Sequence, residues 1–358
     1  MNERKRAFNK GLQSIRQNRL SKKPTSFGVI RPQLYNRLRM PQPNQIIQGD
    51  SIQTLNDGPE GWVDLVFADP PFNIGYLYHG YDDSKKTEDY LDFSRQWMKA
   101  VHRALKPTGS FYLAIGDDYA ADLCVIARRE LGFTMRNWII WHYTFGQQPK
   151  MKFARSHTHI LYFTKHEKDF TFNADAIRVA SARQTTYADA RANPKGKLPD
   201  DVWFLRPQEA PDLFNPDADT WYVSRVCGTF KEREGWHGCQ MPIAVLNRVI
   251  NASSNPGDIV LDPFNGSGTT VVSAALLGRQ YVGIDQSAEY VDYARKRLEH
   301  ALSTTPVNGN GKHKELPGHI EVAIAAATDP SRASKVMTQT DAFGRKRVAR
   351  RRAAAKTA

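Results

Sequence analysis

The sequence predicts an α/β fold built around a doubly wound sheet, and three observations carry that prediction. Strand and helix patterns alternate from about residue 44 to residue 302. Two apolar runs, Val63-Asp64-Leu65-Val66-Phe67-Ala68 and Asp258-Ile259-Val260-Leu261, each stop at a loop of aspartate, proline and small residues, the strand-to-loop junction of a βα unit. The 358 residues, 41% of them hydrophobic, suffice for a full core in one large or two modest domains.

Along the chain, strands are expected over 44–48, 63–67, 110–115, 137–144, 157–164, 259–262 and 280–284. The first helix, 87–105, carries Tyr90, Leu91, Trp97, Met98, Val101 and Leu105 at helical spacing and is stopped by Pro107 and Gly109. A second, 118–131, ends at Gly132. A third, 242–254, opens with Pro242 and ends before Pro256-Gly257; a fourth, 268–277, ends at Gly278. The last, 287–302, begins at Ser287-Ala288-Glu289-Tyr290, a shifted capping box.

From 173 to 236 no period is sustained, and the segment is rich in Pro, Asp, Arg and Trp. So long a stretch inside a compact domain is either functional or a linker. Three of the chain's seven tryptophans, Trp203, Trp221 and Trp236, argue against a linker.

The net charge of +13 suggests a nucleic-acid partner until it is divided along the chain. Residues 1–43 hold 11 Lys/Arg against one acidic residue and 303–358 hold 11 against four, so 44–302 is slightly acidic. The excess lies in two basic tails, which suit phosphate contact by counterion release or are solvated, unfolded ends. The C-terminal Arg345-Lys346-Arg347-Val348-Ala349-Arg350-Arg351-Arg352 is expected to be unfolded. No stretch approaches a membrane span, and MNERKRAFNKG lacks the apolar core of a signal peptide, so a cytoplasmic protein is expected. Cys124, Cys227 and Cys239 have no ligand spacing; reduced thiols are expected and no metal is implied.

The first apolar run closes at Asp69-Pro70-Pro71-Phe72, and the second at Asp262-Pro263-Phe264-Asn265-Gly266-Ser267-Gly268-Thr269-Thr270. The second loop, opening a helix, forms a site for a ligand's charged end, because free backbone amides and the helix dipole point into it. A dinucleotide fingerprint would need a third glycine where Val271 stands, which disfavours NAD. Asp285 ends the strand Tyr281-Val282-Gly283-Ile284, where a carboxylate can accept from ribose hydroxyls.

These two loops resemble the signature motifs of DNA amino-methyltransferases, and their order, catalytic loop first and cofactor loop last, resembles the permuted beta group of that family. The resemblance covers roughly 44–302. It implies a Rossmann-like, circularly permuted methyltransferase domain with S-adenosyl-L-methionine as cofactor and double-stranded DNA as substrate. Its parts would be a basic N-terminal arm, 1–43; a catalytic half, 44–172; a target-recognition region, 173–236; a cofactor-binding half, 237–302; and a basic tail, 303–358. A cognate restriction endonuclease and a homodimer are partners that the family admits.

By the same resemblance, Asp262, Phe264, Gly266, Gly268, Thr269 and Thr270 would surround the methionine part of the cofactor and Asp285 its ribose. Asp50, in Gly49-Asp50-Ser51, is the candidate on the adenine side; an aspartate after glycine is otherwise a turn residue. Trp236-His237-Gly238-Cys239-Gln240-Met241-Pro242 resembles the segment that flanks the cofactor, usually written Gln-Lys-Pro. Met241 replaces the lysine, so Gln240 is the expected contact and Met241 is expected to pack.

The exocyclic amines of adenine and cytosine are poor nucleophiles, because the nitrogen lone pair is delocalised into the ring. Asp69 and the Pro70 carbonyl, held outward by the rigid Pro70-Pro71 pair, can accept both amino hydrogens and turn the lone pair toward the methyl group. Phe72 offers a face on which an extruded base can stack. Aspartate at the first position favours adenine N6; cytosine N4 enzymes more often have Ser-Pro-Pro. Two alternatives stand beside N6-adenine methylation: N4-cytosine methylation and an inactive DNA-binding regulator on the same scaffold. Glutamine-modifying protein methyltransferases have a related Asn-Pro-Pro-Tyr loop, but in unpermuted order.

Overall fold

In a computed structural model of the chain, the described residues are 41–78, 81–143, 150–179, 181–185, 189–203, 240–304, 338–340 and 346–348. The expectations placed on residues 1–40 and 204–239 lie outside them.

One sheet organises the domain. Its strands are β1 (Gln45–Gln48), β2 (Val63–Ala68), β5 (Leu105–Ile115), β6 (Thr134–His142), β7 (His157–Thr164), β8 (Val202–Trp203), β9 (Ile259–Asp262) and β10 (Gln280–Asp285), in the spatial order β1-β10-β9-β2-β5-β7-β6-β8. The first five in that order run parallel; β7 is antiparallel to β5 and β6 to β7. A two-residue ribbon, β3 (Leu77–Tyr78) with β4 (Tyr81–Asp82), stands apart from the sheet.

Every strand of the sheet centre alternates its side chains between two apolar layers, which is why these runs read as almost continuously hydrophobic. Val66 and Ala68 of β2, Phe111 and Leu113 of β5 and Leu261 of β9 face one layer, with Trp97, Met98 and Val101 of helix α2 (Thr87–Ala104) and Leu123 of α3 (Asp117–Val125). Leu65 and Phe67, Tyr112 and Ala114, and Val260 face the other, with Val245, Leu246 and Ile250 of α5 (Ile243–Ser253). α6 (Thr269–Leu276) and α7 (Ala288–Thr304) close the β1–β10 end through Val271, Val272, Val291 and Leu298.

The pairing of β2 with β9 joins residues nearly 200 positions apart, Leu65 beside Val260 and Val66 beside Leu261. Asp64 staples their lower ends: its carboxylate accepts from the Ile259 amide at 2.9 Å and from Lys106 Nζ at 2.8 Å. This adjacency sets the two predicted loops next to each other at the carboxyl edge of the sheet, where ligands of open α/β sheets bind.

The expected elements stand within a few residues of where the patterns put them, and further short elements join them. Helix α2 stops at Ala104, and β5 begins at once, so Pro107 and Gly109 lie within a strand that shifts register between Val63 and Leu65 of its neighbour. Helix α3 ends in a π-helical turn, Ile126–Glu130, before Gly132. Between β1 and β2 a short helix, α1 (Ser51–Asp57), is capped by Asp50, whose side chain accepts from the Gln53 amide. Within the aperiodic segment, a 3-10 turn (Ala174–Ile177), α4 (Ala182–Thr185), a Val179–Lys197 bridge and β8 are held by local pairs such as Asp175 with Arg178 and Lys195. Such contacts leave no period in the sequence. In the C-terminal tail β11 (Thr338–Thr340) pairs antiparallel with β12 (Lys346–Val348), where β-branched Thr338, Thr340 and Val348 favour strand over the expected unfolded chain. No helix among the described residues is long and apolar enough to cross a membrane.

Candidate active site

At the carboxyl edge of the sheet lies a cleft of about 1130 Å³. Asp69, Pro71 and Phe72 line it from the end of β2; Asp262, Phe264, Gly266, Thr269 and Thr270 from the β9–α6 turn; Asp285 from β10; and Gln240 from the approach to α5. Of the remaining residues expected at the site, Pro70 is buried between Asp69 and Pro71, Gly268 is the N-cap of α6 and Asp50 caps α1. Asp50 also accepts from Gln286 Nε2 at 2.9 Å, which ties the ends of β1 and β10 together.

The β9–α6 turn is shaped by its small residues. Gly266 and Gly268 have φ of 44° and 76°, the left-handed region that favours glycine. A side chain on Gly268 would also place its Cβ 2.9 Å from Ala294 Cβ of α7. The buried Arg297 of α7 donates to the Ser267 carbonyl at 2.9 Å and to Thr269 Oγ1 at 2.8 Å, and Thr269 Oγ1 in turn donates to the Met241 carbonyl at 3.0 Å. Met241 packs in the core, as expected, and carries no charge into the cleft.

Two carboxylates face each other here. Asp285 accepts from the amides of Gly266 at 2.8 Å and Ser287 at 2.9 Å, and burial raises its pKa. Asp262 accepts from the Phe264 amide at 3.0 Å and from the Thr270 hydroxyl. Burial, with a smaller contribution from the Asp285 charge, pushes Asp262 up to about 7. Asn265, also lining the cleft, is buried with neither end of its side-chain amide partnered by protein. An unmet buried polar group, the free amides of a helix N-terminus and two buried carboxylates fit a polar ligand end that carries both an anionic and a cationic group.

The Asp69–Phe72 loop is held by residues that sequence reasoning missed. Asp83, only 2% exposed, accepts from the amides of Asn73 at 2.8 Å, Ile74 at 3.1 Å and Tyr76 at 3.0 Å. Asn73, at φ 56°, donates to Tyr119 Oη at 2.8 Å and to the Lys85 carbonyl at 2.9 Å. The buried Tyr90 donates its hydroxyl to the Pro71 carbonyl at 2.7 Å. Phe72 lies over Gly116, where a Cβ would come within 3.2 Å of its ring. Asp83 gave no signal because Asp82-Asp83-Ser84-Lys85-Lys86 reads as a solvated turn. Asp83→Ala is expected to lower kcat at least about tenfold with unchanged cofactor affinity, since three partly buried loop amides lose hydrogen bonds to a carboxylate worth about 1.5–3 kcal/mol each. Methyl-transfer kinetics beside calorimetry would check this; a wild-type kcat would show that the loop holds without it.

On the opposite wall, Asp117 accepts from Arg155 Nε at 2.9 Å and meets His157 Nε2 at 3.3 Å and His159 Nε2 at 3.2 Å. This trio has the composition of a metal site. However, Trp138 Nε1 donates to His159 Nδ1 at 2.8 Å, so the neutral ring carries its proton on Nε2 and presents no lone pair there. Burial lowers the His159 pKa, which keeps that neutral form. The cluster is therefore a hydrogen-bonded clasp on Arg155.

Comparison with known proteins places this architecture. Residues 63–296 match the model of the DNA methylase family of N6/N4 type. The chain is 37% identical over 255 residues to the Type II methyltransferase M.HpaI of Haemophilus parainfluenzae, spanning 71% of this chain and 74% of that one. It is 36% identical over 257 residues to the DNA adenine methyltransferase YhdJ of Escherichia coli (strain K12), spanning 71% and 82%. The solved PvuII DNA methyltransferase (cytosine-N4-specific) shares the fold at a TM-score of 0.53 and 18% identity, over 74% of this chain and 92% of that one. With the permuted sheet, the paired loops and these matches together, the chain belongs to the N6/N4 family of DNA methylases.

Proposed function

We propose that this protein methylates adenine N6 in double-stranded DNA at a specific sequence, with S-adenosylmethionine as the methyl donor. The observation that carries the reading is the juxtaposition of the Asp69-Pro70-Pro71-Phe72 loop with the β9–α6 glycine turn across one cleft. Adenine is favoured by aspartate at position 69 and by the 36% identity to a relative named as an adenine methyltransferase.

When bound, S-adenosylmethionine supplies an electrophilic methyl group on a sulfonium. The Gly266–Thr270 turn, Asp262, Phe264 and Gln240 would hold its methionine end, Asp285 would serve the ribose and Asp50 the adenine side. Asp69 and the Pro70 carbonyl accept the two hydrogens of the target amine and localise its lone pair. Tyr90 occupies the Pro71 carbonyl, which leaves Pro70 as the acceptor on this turn. Phe72 stacks on the extruded base, in place of the neighbours that base leaves behind. Residues 173–236 read the target sequence, and the basic tails add phosphate contacts common to all duplexes.

The test is methylation-sensitive sequencing of DNA from cells expressing the chain, which reports base and site together. N6-methyladenine at one recurrent sequence is expected; N4-methylcytosine would move the base assignment, and no modified base would sink the reading. Exchange of 173–236 with the same region of a relative of known target should transfer that target in an active hybrid, read by the same sequencing. An active hybrid that keeps the original site would place recognition elsewhere.

Asp262 gives the cofactor site a pH dependence. Its raised pKa means that the folded chain holds this proton more tightly than the unfolded chain does. The resulting stabilisation is complete below about pH 4 and is lost as pH rises through about 7. Binding of a cationic ligand end requires the proton to leave, so cofactor affinity should rise by up to about tenfold per pH unit below pH 7 and level off above it. Calorimetry in buffers of different ionisation enthalpy should register the released proton, and Asp262→Asn should flatten the slope and lower the release to what Asp285, also raised by burial, contributes.

A further inference from the structure

Among the described residues the large apolar side chains left exposed are Val125, Phe172 and Leu198, each apart from the cleft, and four that gather beside it. Phe153 is 99% exposed, Met151 97%, Ile74 56% and Tyr76 37%. Phe153, Ile74 and Tyr76 all line the mouth of the same cleft, and Met151 stands two residues from Phe153.

The two rims that carry them are built alike. On one, Ile74 and Tyr76 follow the catalytic loop and are pinned through their amides to the buried Asp83. On the other, Lys150-Met151-Lys152-Phe153-Ala154-Arg155 leads into β7 and ends at Arg155, clasped by Asp117 at 2.9 Å and Asp118 at 3.0 Å. The amino end of β7 pairs with the carboxyl end of β5, Ile115 beside His159, so this rim emerges on the catalytic edge of the sheet. One exposed phenylalanine is ordinary, but Phe153 grouped with Ile74 and Tyr76 around one cleft forms an apolar patch of the kind that marks a binding site. Lysines alternate with the apolar residues, a pattern that suits stacked bases flanked by phosphates.

Resting on the DNA methyltransferase reading above, we propose that Phe153 is the wedge that enters the duplex and fills the gap left by the extruded target base, with Lys150 and Lys152 on the adjacent phosphates. A base leaving the stack costs unpairing and unstacking, and the cost is least where the base is already mispaired. Phe153 offsets that cost from outside the cleft, while Phe72 stacks on the base inside it.

The experiment uses the full-length protein, with the target sequence taken from the sequencing described above. Phe153→Ala, Phe153→Trp and Lys152→Ala are compared with wild type on two duplexes, one fully paired and one with the target base opposite an abasic site. Phe153→Ala should lose roughly thirtyfold in kcat/KM on the paired duplex, the scale of one lost base–aromatic stack. It should fall within about threefold of wild type on the abasic one. Phe153→Trp should retain most of the wild-type rate, and 2-aminopurine at the target position should show extrusion lost only with alanine. Lys152→Ala should weaken binding to both duplexes alike. Equal loss on the two duplexes, no loss on either, or a change in oligomeric state or Tm would overturn the wedge and assign Phe153 to protein packing. Failure of the wild-type protein to methylate any duplex would instead refute the underlying reading.

Discussion

Asp69→Ala is expected to lower kcat for methyl transfer by about 10³-fold or more while the dissociation constant for S-adenosylmethionine changes by less than about threefold. Asp69 stands at the end of β2 and the cofactor turn at the end of β9, on neighbouring strands but with separate supports. The loop is held by Asp83, Tyr90 and Asn73, and the turn by Arg297 and Asp285. Removing one carboxylate from the loop therefore leaves the turn in place. Asp69→Asn is the stricter variant, because its amide keeps one acceptor but turns a donor toward the amine. It should retain no more than about 1% of the wild-type rate. Single-turnover kinetics paired with calorimetry separates the two quantities. Near-native turnover in either variant would remove Asp69 from the chemistry, and a parallel loss of cofactor affinity would mean that the loop and the turn are one unit.

Gly268→Leu is expected to act the other way, with loss of cofactor binding by at least about 100-fold and, with it, all transfer at ordinary cofactor concentrations. Two costs coincide at this position. The backbone is left-handed at φ 76°, where a non-glycine residue costs about 1–2 kcal/mol. The added Cβ meets Ala294 Cβ at 2.9 Å, so α7 must move away from the turn. That movement carries Arg297 with it, and Arg297 is what holds the Ser267 carbonyl and the Thr269 hydroxyl. Gly268→Ala should show the same direction at smaller size. Calorimetric titration of the folded variants reads the effect directly, and unchanged affinity in Gly268→Leu would move the cofactor site to another part of the cleft.

The expected doubly wound sheet was legible because its strands announce themselves twice, by composition and by what ends them. Strands β7 and β9 fall on the expected boundaries because residues 157–164 and 259–262 are apolar runs bracketed by polar turns. Helix α2 was legible from Tyr90, Trp97, Met98 and Val101 on one buried face. The extension of β5 back to Leu105 was hidden, because Pro107 and Gly109 ordinarily end an element, and only pairing with β2 keeps the chain extended there. Helix α1 is too short for a period to show, and its signal is the single cap Asp50.

The two loops that define the site were readable for a related reason. Their residues are dictated locally: prolines by the rigidity of the turn after β2, glycines by φ and close approach, the aspartates by the strand ends they terminate. What surrounds them was not readable. Asp83, Arg297 and the Arg155 clasp act on residues 7 to 42 positions away, and in the sequence they are a turn acid, a helix arginine and a loop arginine. By itself, then, the sequence determined the fold class, the permuted order of the two motifs and the residue types of the two loops, because each follows from local periodicity or backbone geometry. Only the tertiary structure decided that β2 and β9 lie side by side, that Asp262 keeps its proton to about pH 7, and which distant side chains hold the loops. Adjacency, burial and long-range hydrogen bonds belong to the packed chain and leave no period behind.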